Sequence, residues 1–470
     1  MSLKLFLLNT FGGIKATSKI ESEQESLWKD YQVYTQVEQS DELKEFLALK
    51  ETVNADSFKK LKAKLNALRF KGSAEERQLK QFEKLKKNRR LQKYFQTIDS
   101  SDLERYQKLK EGDQLDRYFE LDKMVSQGMS KTDENAKEIK AEYAKLKSSD
   151  DVRFYRKYPR SSVYKNYLRM QNSSEKQNYE SLKSIVETDE FKERKAYLDD
   201  PQKWEKSEGY QSEQRFEILK DNPGIVLYLK YKDSKAFDFF KKWEIIFEDR
   251  FDGGHLDESK WKTINYWAEK TIGKNFSQAE DLQAFNDGKN IHLNDARLTL
   301  QVKKDQLSSF VWNPALGFVE REFDYSSDCL TTGGLFQAQF GILEAKIKYD
   351  PNKNFQDVFY LAGDDNSLRV SLLESGLKSQ FGVSKTESGN VSTDASSLGG
   401  LSAGKFYIFR IEWEQGKLSW KINDKEIFTV NRNVPNSPMF LNLASLVIHE
   451  TNHLPRTFEV DWIRFYSEKK

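Results

Sequence analysis

Two hydrophobic rhythms divide the chain. From about residue 20 to 235 apolar residues recur at helical spacing, in a stretch rich in Lys, Glu, Leu, Tyr and Phe, with almost no Pro and few Gly. One pattern repeats: an aromatic, Leu three residues on, Lys next, then an aliphatic position five later and an aromatic three after that. It reads Phe46-Leu49-Lys50-Ala55-Phe58, Phe82-Leu85-Lys86-Leu91-Tyr94 and Tyr106-Leu109-Lys110-Leu115-Tyr118. It returns as Tyr143-Leu146-Lys147-Val152-Tyr155, Tyr179-Leu182-Lys183-Thr188-Phe191 and Phe216-Leu219-Lys220-Ile225-Tyr228. Most copies start about 36 or 37 residues apart, a period typical of helical arrays. The expected unit is a helix, a tight turn and a second helix, each pair burying its aromatic-Leu stripe against its neighbour. Ser40-Asp41, Ser100-Ser101-Asp102 and Ser148-Ser149-Asp150 supply N-cap chemistry.

Near residue 240 the rhythm changes to alternation. Short strands are expected at 243–247, 298–302, 334–340, 342–349, 368–373, 406–413, 417–422, 426–430 and 458–466. Many short antiparallel strands with turn signals between them predict a β-sandwich or jelly roll. The fold class is thus an all-α helical repeat array followed by an antiparallel sandwich. The expected divisions are a segment 1–20, a helical repeat domain 21–238 and a sandwich 239–470. In the strand at 368–373, Leu368, Val370 and Leu372 face a core, and Arg369 and Ser371 face the other side.

Composition narrows the functional classes. The 470 residues are 32% charged with a net charge of only +2, so no globally acidic or basic partner is implied. The lone cysteine, Cys329, excludes an internal disulfide. No apolar run is long enough to span a membrane, and the N-terminal apolar patch is too short for a signal-peptide core. Compartment stays open. Residues 84–93, Lys-Leu-Lys-Lys-Asn-Arg-Arg-Leu-Gln-Lys, form a basic cluster read as a solvated helix face, because Leu85 and Leu91 inside it belong to the repeat. Nucleic acid is therefore not an expected partner. A protein partner is expected on the helical array.

Four stretches of the alternating half then carry a resemblance. They are Trp243 to Trp261, the strand ending Phe340-Gly341-Ile342-Leu343-Glu344-Ala345-Lys346, the hairpin Phe406 to Asp424 with Glu412-Trp413 and Trp420, and the run from Pro438-Met439-Phe440 to Val460-Asp461-Trp462. In that order they resemble the family 16 glycoside hydrolases. The resemblance implies the concanavalin A-like jelly roll of laminarinases and agarases. It also implies a catalytic Glu-x-Asp-x-x-Glu: nucleophile, helper and acid/base. Retaining hydrolysis needs two carboxyls about 5 Å apart. The matching positions here are Arg369, Ser371 and Glu374. An arginine cannot attack an anomeric carbon, and Ser371 carries no charge. A register shift onto Asp364 or Asp365 does not restore the pattern.

The expectation is thus a non-catalytic carbohydrate-binding or structural protein, the alternatives being an active hydrolase of β-linked polysaccharide and a pure interaction scaffold of a virion or cell envelope. Trp312, Phe355, Phe359, Tyr360, Arg369 and Glu374 are the cleft candidates. The resemblance also implies a structural calcium, with Asp461 as one ligand, although Arg250 stands where an acidic residue belongs. No other cofactor is implied. His449-Glu450-Thr451-Asn452-His453 spells a zinc-protease string, but Pro455 and the flanking strands put it in a loop, where the two histidines do not share a helix face.

Overall fold

The computed structural model describes residues 3–10, 12–98, 100 and 162–470. These form two compact units: residues 39–226, and residues 1–38 together with 227–470. The repeat copies at 106–118 and 143–155, and the caps around Asp102 and Asp150, lie outside the described residues.

After α1 (Leu3–Thr10) and α2 (Thr17–Glu38), the helical unit contains α3 (Asp41–Asn54), α4 (Asp56–Ala67), α5 (Ala74–Lys86) and α6 (Arg89–Ile98). It continues as α7 (Ser162–Gln171), α8 (Ser174–Val186), α9 (Asp189–Asp199) and α10 (Glu208–Lys220), and α11 (Pro223–Tyr231) spans the division at residue 226. Hydroxyl caps start several of these helices, the expected Ser40 among them. Ser40 accepts from the Leu43 N–H, Ser73 from Glu76, Ser173 from Lys176 and Ser207 from Tyr210.

Among the described residues the repeat's strongest helix contacts are not between successive pairs. Instead the chain runs out and returns, with α3 against α10, α5 against α8 and α6 against α7. Each outgoing aromatic meets a returning one: Phe46 on Phe216 (5.5 Å between centroids), Phe82 on Tyr179 (5.2 Å) and Tyr94 on Tyr167 (5.2 Å), all nearly parallel. Phe58 meets Trp204 edge-on at 5.4 Å. A local repeat is equally compatible with both arrangements, because either one buries the same stripe. In the basic cluster Leu91 is buried and Lys84, Lys87, Arg89 and Arg90 are exposed.

The second unit is a two-sheet sandwich whose strands pair antiparallel except for two short parallel pairings in the larger sheet. One sheet runs, in spatial order, β12 (Asn390–Ser397), β11 (Gln380–Glu387), β10 (Leu368–Gly376), β9 (Phe355–Ala362), β16 (Phe440–Val447) and β7 (Cys329–Thr331). The other runs β15 (Lys425–Val430), β14 (Lys417–Ile422), β13 (Lys405–Glu414), β8 (Gly341–Tyr349), β17 (Arg456–Glu468), β5 (Leu298–Asn313), β6 (Gly317–Ser327) and β3 (Gln283–Phe285). Strand β1 (Trp243–Asp249) adds to β17, and β2 (Phe276–Ser277) and β4 (Ile291–Leu293) add to β5. Between the sheets Leu298, Leu300, Ala345, Ile347, Phe359, Val370, Leu372, Leu373, Ile411 and Ile463 are wholly buried. Each such large aliphatic or aromatic contributes about 1.5–3 kcal/mol. Leu5 of α1 belongs to the same core.

Residues 334–340 differ from the expected strand. They form turns, with one bridge from Ala338 to Met439. Gly333 begins that turn because a Cβ there would fall 2.4 Å from the Tyr266 ring.

The motif residues of the large sheet are one another's partners. Glu344, 1% exposed, pairs with Arg410 at 2.5 Å, and Lys346 pairs with Asp461 at 2.7 Å and with Glu21 of α2 at 2.9 Å. Thus three of the four sequence stretches meet through charges on the strands β8, β13 and β17.

Candidate functional site: the open face of the six-stranded sheet

Strand β10 carries the decisive positions. Leu372 and Leu373 both enter the core at 0% exposure, so the alternation is interrupted there. The pairing register with β9 shifts between Ser371 and Leu373, which is a β-bulge. Its effect is to return Glu374 to the face that holds Arg369 and Ser371. Two-and-three spacing along the chain therefore becomes one line of three side chains on the face turned away from the core.

Cross-strand registers extend each position into a row. Arg369 stands between Ser384 and Ala362, with Thr393 beyond Ser384 and Phe440 beyond Ala362. Ser371 stands between Gly382 and Tyr360, with Asn442 and Thr331 beyond Tyr360. Glu374 stands between Gln380 and Val358, with Ala444 and Cys329 beyond Val358.

One end of this face is roofed. Helix α12 (Asp238–Lys242) precedes β1, and α13 (Tyr266–Ile272) lies over β16 and β9. Trp267, Phe285 and Leu446 cover a buried cluster of Cys329, Val358, Tyr360, Ala362 and Ala444. The roof is tied down by Asp364, whose carboxylate accepts from the Tyr266 hydroxyl (2.6 Å) and whose carbonyl accepts from the Trp267 indole (2.8 Å). The other end, over β10 to β12, is polar and reaches solvent at Ser384 and Thr393.

The three motif positions have settled local partners. The Ser371 hydroxyl donates to Glu374 Oε1 at 2.8 Å, and the Gln380 amide donates to Oε2 at 2.8 Å. Both carboxylate oxygens are thereby engaged. The Arg369 guanidinium lies over the Tyr360 ring, 3.9 Å from its centroid. Burial holds the Tyr360 phenol above its ordinary pKa, against the opposing pull of Arg369.

The remaining candidates are placed elsewhere. Phe355 and Phe359 are 0% exposed on the interior side of β9, so they face the core and not a cleft. Parity sets this: residues of odd number in β9 point inward. Trp312 is 50% exposed on the β5–β6 ribbon, packed on Phe318 at 5.1 Å, and is not part of the six-stranded sheet. Asp365 accepts from the backbone and hydroxyl of Ser367 and stays in its own turn. The site residues absent from the sequence reading are Gln380, Ser384 and Thr393. They lie on strands whose neighbourhood to β10 only the pairing establishes.

The calcium position does not fit a cation. Lys346 already places an ammonium on Asp461, and Arg250 pairs with Glu248 at 3.0 Å. The 449–453 string lies in the loop between β16 and β17. Among the described residues no group of three or more His, Cys, Asp or Glu is placed to hold a metal, and no helix is long and apolar enough to cross a membrane.

No family model matches the chain. A glucan endo-1,3-beta-glucosidase A1 of Niallia circulans is 22% identical over 264 residues, 48% of this chain and 38% of that protein. The chain thus spans well under half the length of that curated relative. Among solved structures, the catalytic domain of an endo-1,3-beta-glucanase (laminarinase) from Thermotoga petrophila RKU-1 is similar at 21% identity and a TM-score of 0.40, covering 49% of this chain and 100% of that one. An endo-beta-1,3-glucanase from Pyrococcus furiosus is similar at 21% identity and a TM-score of 0.39, covering 49% and 96%.

Proposed function

We propose that the sandwich is a non-hydrolytic glycan-binding module. The observation that carries this reading is the line Arg369, Ser371, Glu374. It keeps the bulged geometry that brings three side chains to one face, yet offers one carboxylate where retaining chemistry needs two. That carboxylate is engaged at both oxygens by Ser371 and Gln380. The order of the four motifs and the similarity to the Niallia circulans glucosidase support a glycan as the ligand class.

The roof over the β16 side supports a second reading, a structural component whose sandwich binds no sugar. In either case the helical arm is the protein-contact element. Leu61, Leu168, Ile218 and Val226 are about half exposed or more along it, which supports an apolar partner surface.

The test is incubation of the full chain with laminarin, mixed-linkage β-glucan, agarose and carrageenan, followed by a reducing-end assay. Release at background for both the wild type and Glu374→Gln is expected. Release that vanishes in Glu374→Gln overturns the non-hydrolytic reading. A glycan array that stays blank rejects the glycan ligand and leaves the structural reading.

A further inference from the structure

We propose that Arg369 makes the open half of this face a reader of anionic glycans: the ligand carries a carboxylate or a sulfate ester, seated on the Arg369 guanidinium beside the Ser384 and Thr393 hydroxyls. The inference rests on the glycan-binding reading above and names its ligand class.

The argument begins with charge accounting. Of the other half-buried or buried arginines of the sandwich, Arg410 pairs with Glu344, Arg456 with Asp357 at 2.9 Å and Arg464 with Glu248 at 2.8 Å, while Arg321 donates to the Ala279 and Asp281 carbonyls and Arg297 lies over the Phe406 ring. Arg369 is half-buried as well, and among the described residues it makes no ion pair. The carboxylates around it are committed elsewhere. Glu374 is two rows along the strand and is clamped by Ser371 and Gln380. Asp364 holds the roof, Asp365 holds its turn, and Asp394 on β12 pairs with Arg432 at 2.9 Å. A half-desolvated cation without a counterion favours an anionic ligand over a neutral one.

Geometry adds specificity. Contact with the Tyr360 ring restrains the guanidinium, so less freedom is lost when a planar or tetrahedral oxyanion binds its N–H fork. In the same row Ser384 is the direct neighbour of Arg369, and its hydroxyl lies 3.2 Å from that of Thr393. Neighbours in such a row stand roughly 5 Å apart, the span of one carboxylate or sulfate with its ring carbon. Gly382 leaves the adjacent row open between Ser371 and Ala395. A Cβ there would fall 2.2 Å from the Asp394 carbonyl, so the gap is kept by the backbone itself.

The test is calorimetric titration of the full chain with three tetrasaccharides: a neutral β-1,3-glucan, a polyuronate and a sulfated galactan. The expected result is binding of an anionic oligomer, weakened by salt, with the neutral one at least tenfold weaker. Arg369→Met should lower the anionic affinity at least tenfold at unchanged thermal stability, and Arg369→Lys should restore part of it. Arg89→Glu/Arg90→Glu in the basic cluster of the arm should leave affinity unchanged, which separates this site from general polyanion attraction. The uronate and sulfate arms distinguish the two sources of the anion. Equal binding of the neutral oligomer by wild type and Arg369→Met overturns the anionic assignment while the glycan-binding reading stands. Loss of affinity in the arm variant but not in Arg369→Met also overturns it. No binding of any oligomer, with a blank glycan array, rejects both.

Discussion

Replacing Glu344 by Gln tests whether the charges beneath the sequence motifs hold the large sheet together. The Glu344 side chain is 1% exposed and that of Arg410 is 11% exposed, at 2.5 Å. Removing one member of a buried pair costs about 3–5 kcal/mol, because the survivor is left buried and uncompensated. Here Arg410 keeps Asp424 at 2.9 Å, a carboxylate that is 41% exposed and so partly screened. The expected loss for Glu344→Gln is therefore at the low end, about 3 kcal/mol. Asp424→Asn alone should cost under about 1 kcal/mol. The double change Glu344→Met/Arg410→Met should come back to within about 1 kcal/mol of wild type, since two apolar groups of similar volume need no partner. Urea unfolding followed by tryptophan fluorescence reads this unit, because Trp204 is the only one of nine tryptophans outside it. A Glu344→Gln variant less than about 1 kcal/mol weaker than wild type would refute the reasoning, since a pair this buried cannot be neutral to break.

Two further outcomes follow from groups described above. Asp328 is 0% exposed and accepts three backbone N–H bonds, from Asn286, Gly288 and Asn290, yet burial still pushes its carboxyl up to about 6. The folded state therefore holds this proton more tightly than the unfolded chain. Its contribution to stability is present below the ordinary carboxylate value and is lost as pH rises from about 4 through about 6, by roughly 2–3 kcal/mol at most. Asp328→Asn should flatten that slope, measured as the difference in urea midpoint between pH 4 and pH 7; an unchanged slope assigns the effect to other groups. In the arm, Tyr94→Ala removes a 2% exposed ring stacked on Tyr167 and should cost about 3–5 kcal/mol, read as an earlier loss of circular dichroism at about 222 nm. An unshifted helical transition would show that the stack carries no stability.

The fold was legible where residues specify partners across strands. Glu344 of one motif meets Arg410 of another, and Lys346 meets Asp461 of a third, so the stretches that signal the sandwich are those that pair its central strands. The β10 alternation was legible, and the adjacent pair Leu372-Leu373 already marks the bulge. The long β5–β6 ribbon was not. Lys303, Lys304 and Asp305 break the apolar alternation, so only its first five residues read as a strand, although β5 spans sixteen. In the arm the helices were legible from their period, but their pairing was not, since stacking between neighbours and pairing across the arm bury the same residues. The site was half legible for a similar reason. Arg369, Ser371 and Glu374 lie on one strand and could be named together. The residues that surround them come from strands up to seventy positions away, whose register no local pattern states.

The out-and-back course of residues 39–226 constrains how this protein can change in length. Each rung of stacked rings joins one outgoing helix to one returning helix, as in Phe46 with Phe216 and Phe82 with Tyr179. An insertion or deletion of a turn on one side alone would slide every rung beyond it out of step. Only matched changes, made on both sides at the same height, keep the rings face to face. The helical unit can therefore change length only by coupled pairs of helices, whereas a stacked solenoid can gain or lose single repeats.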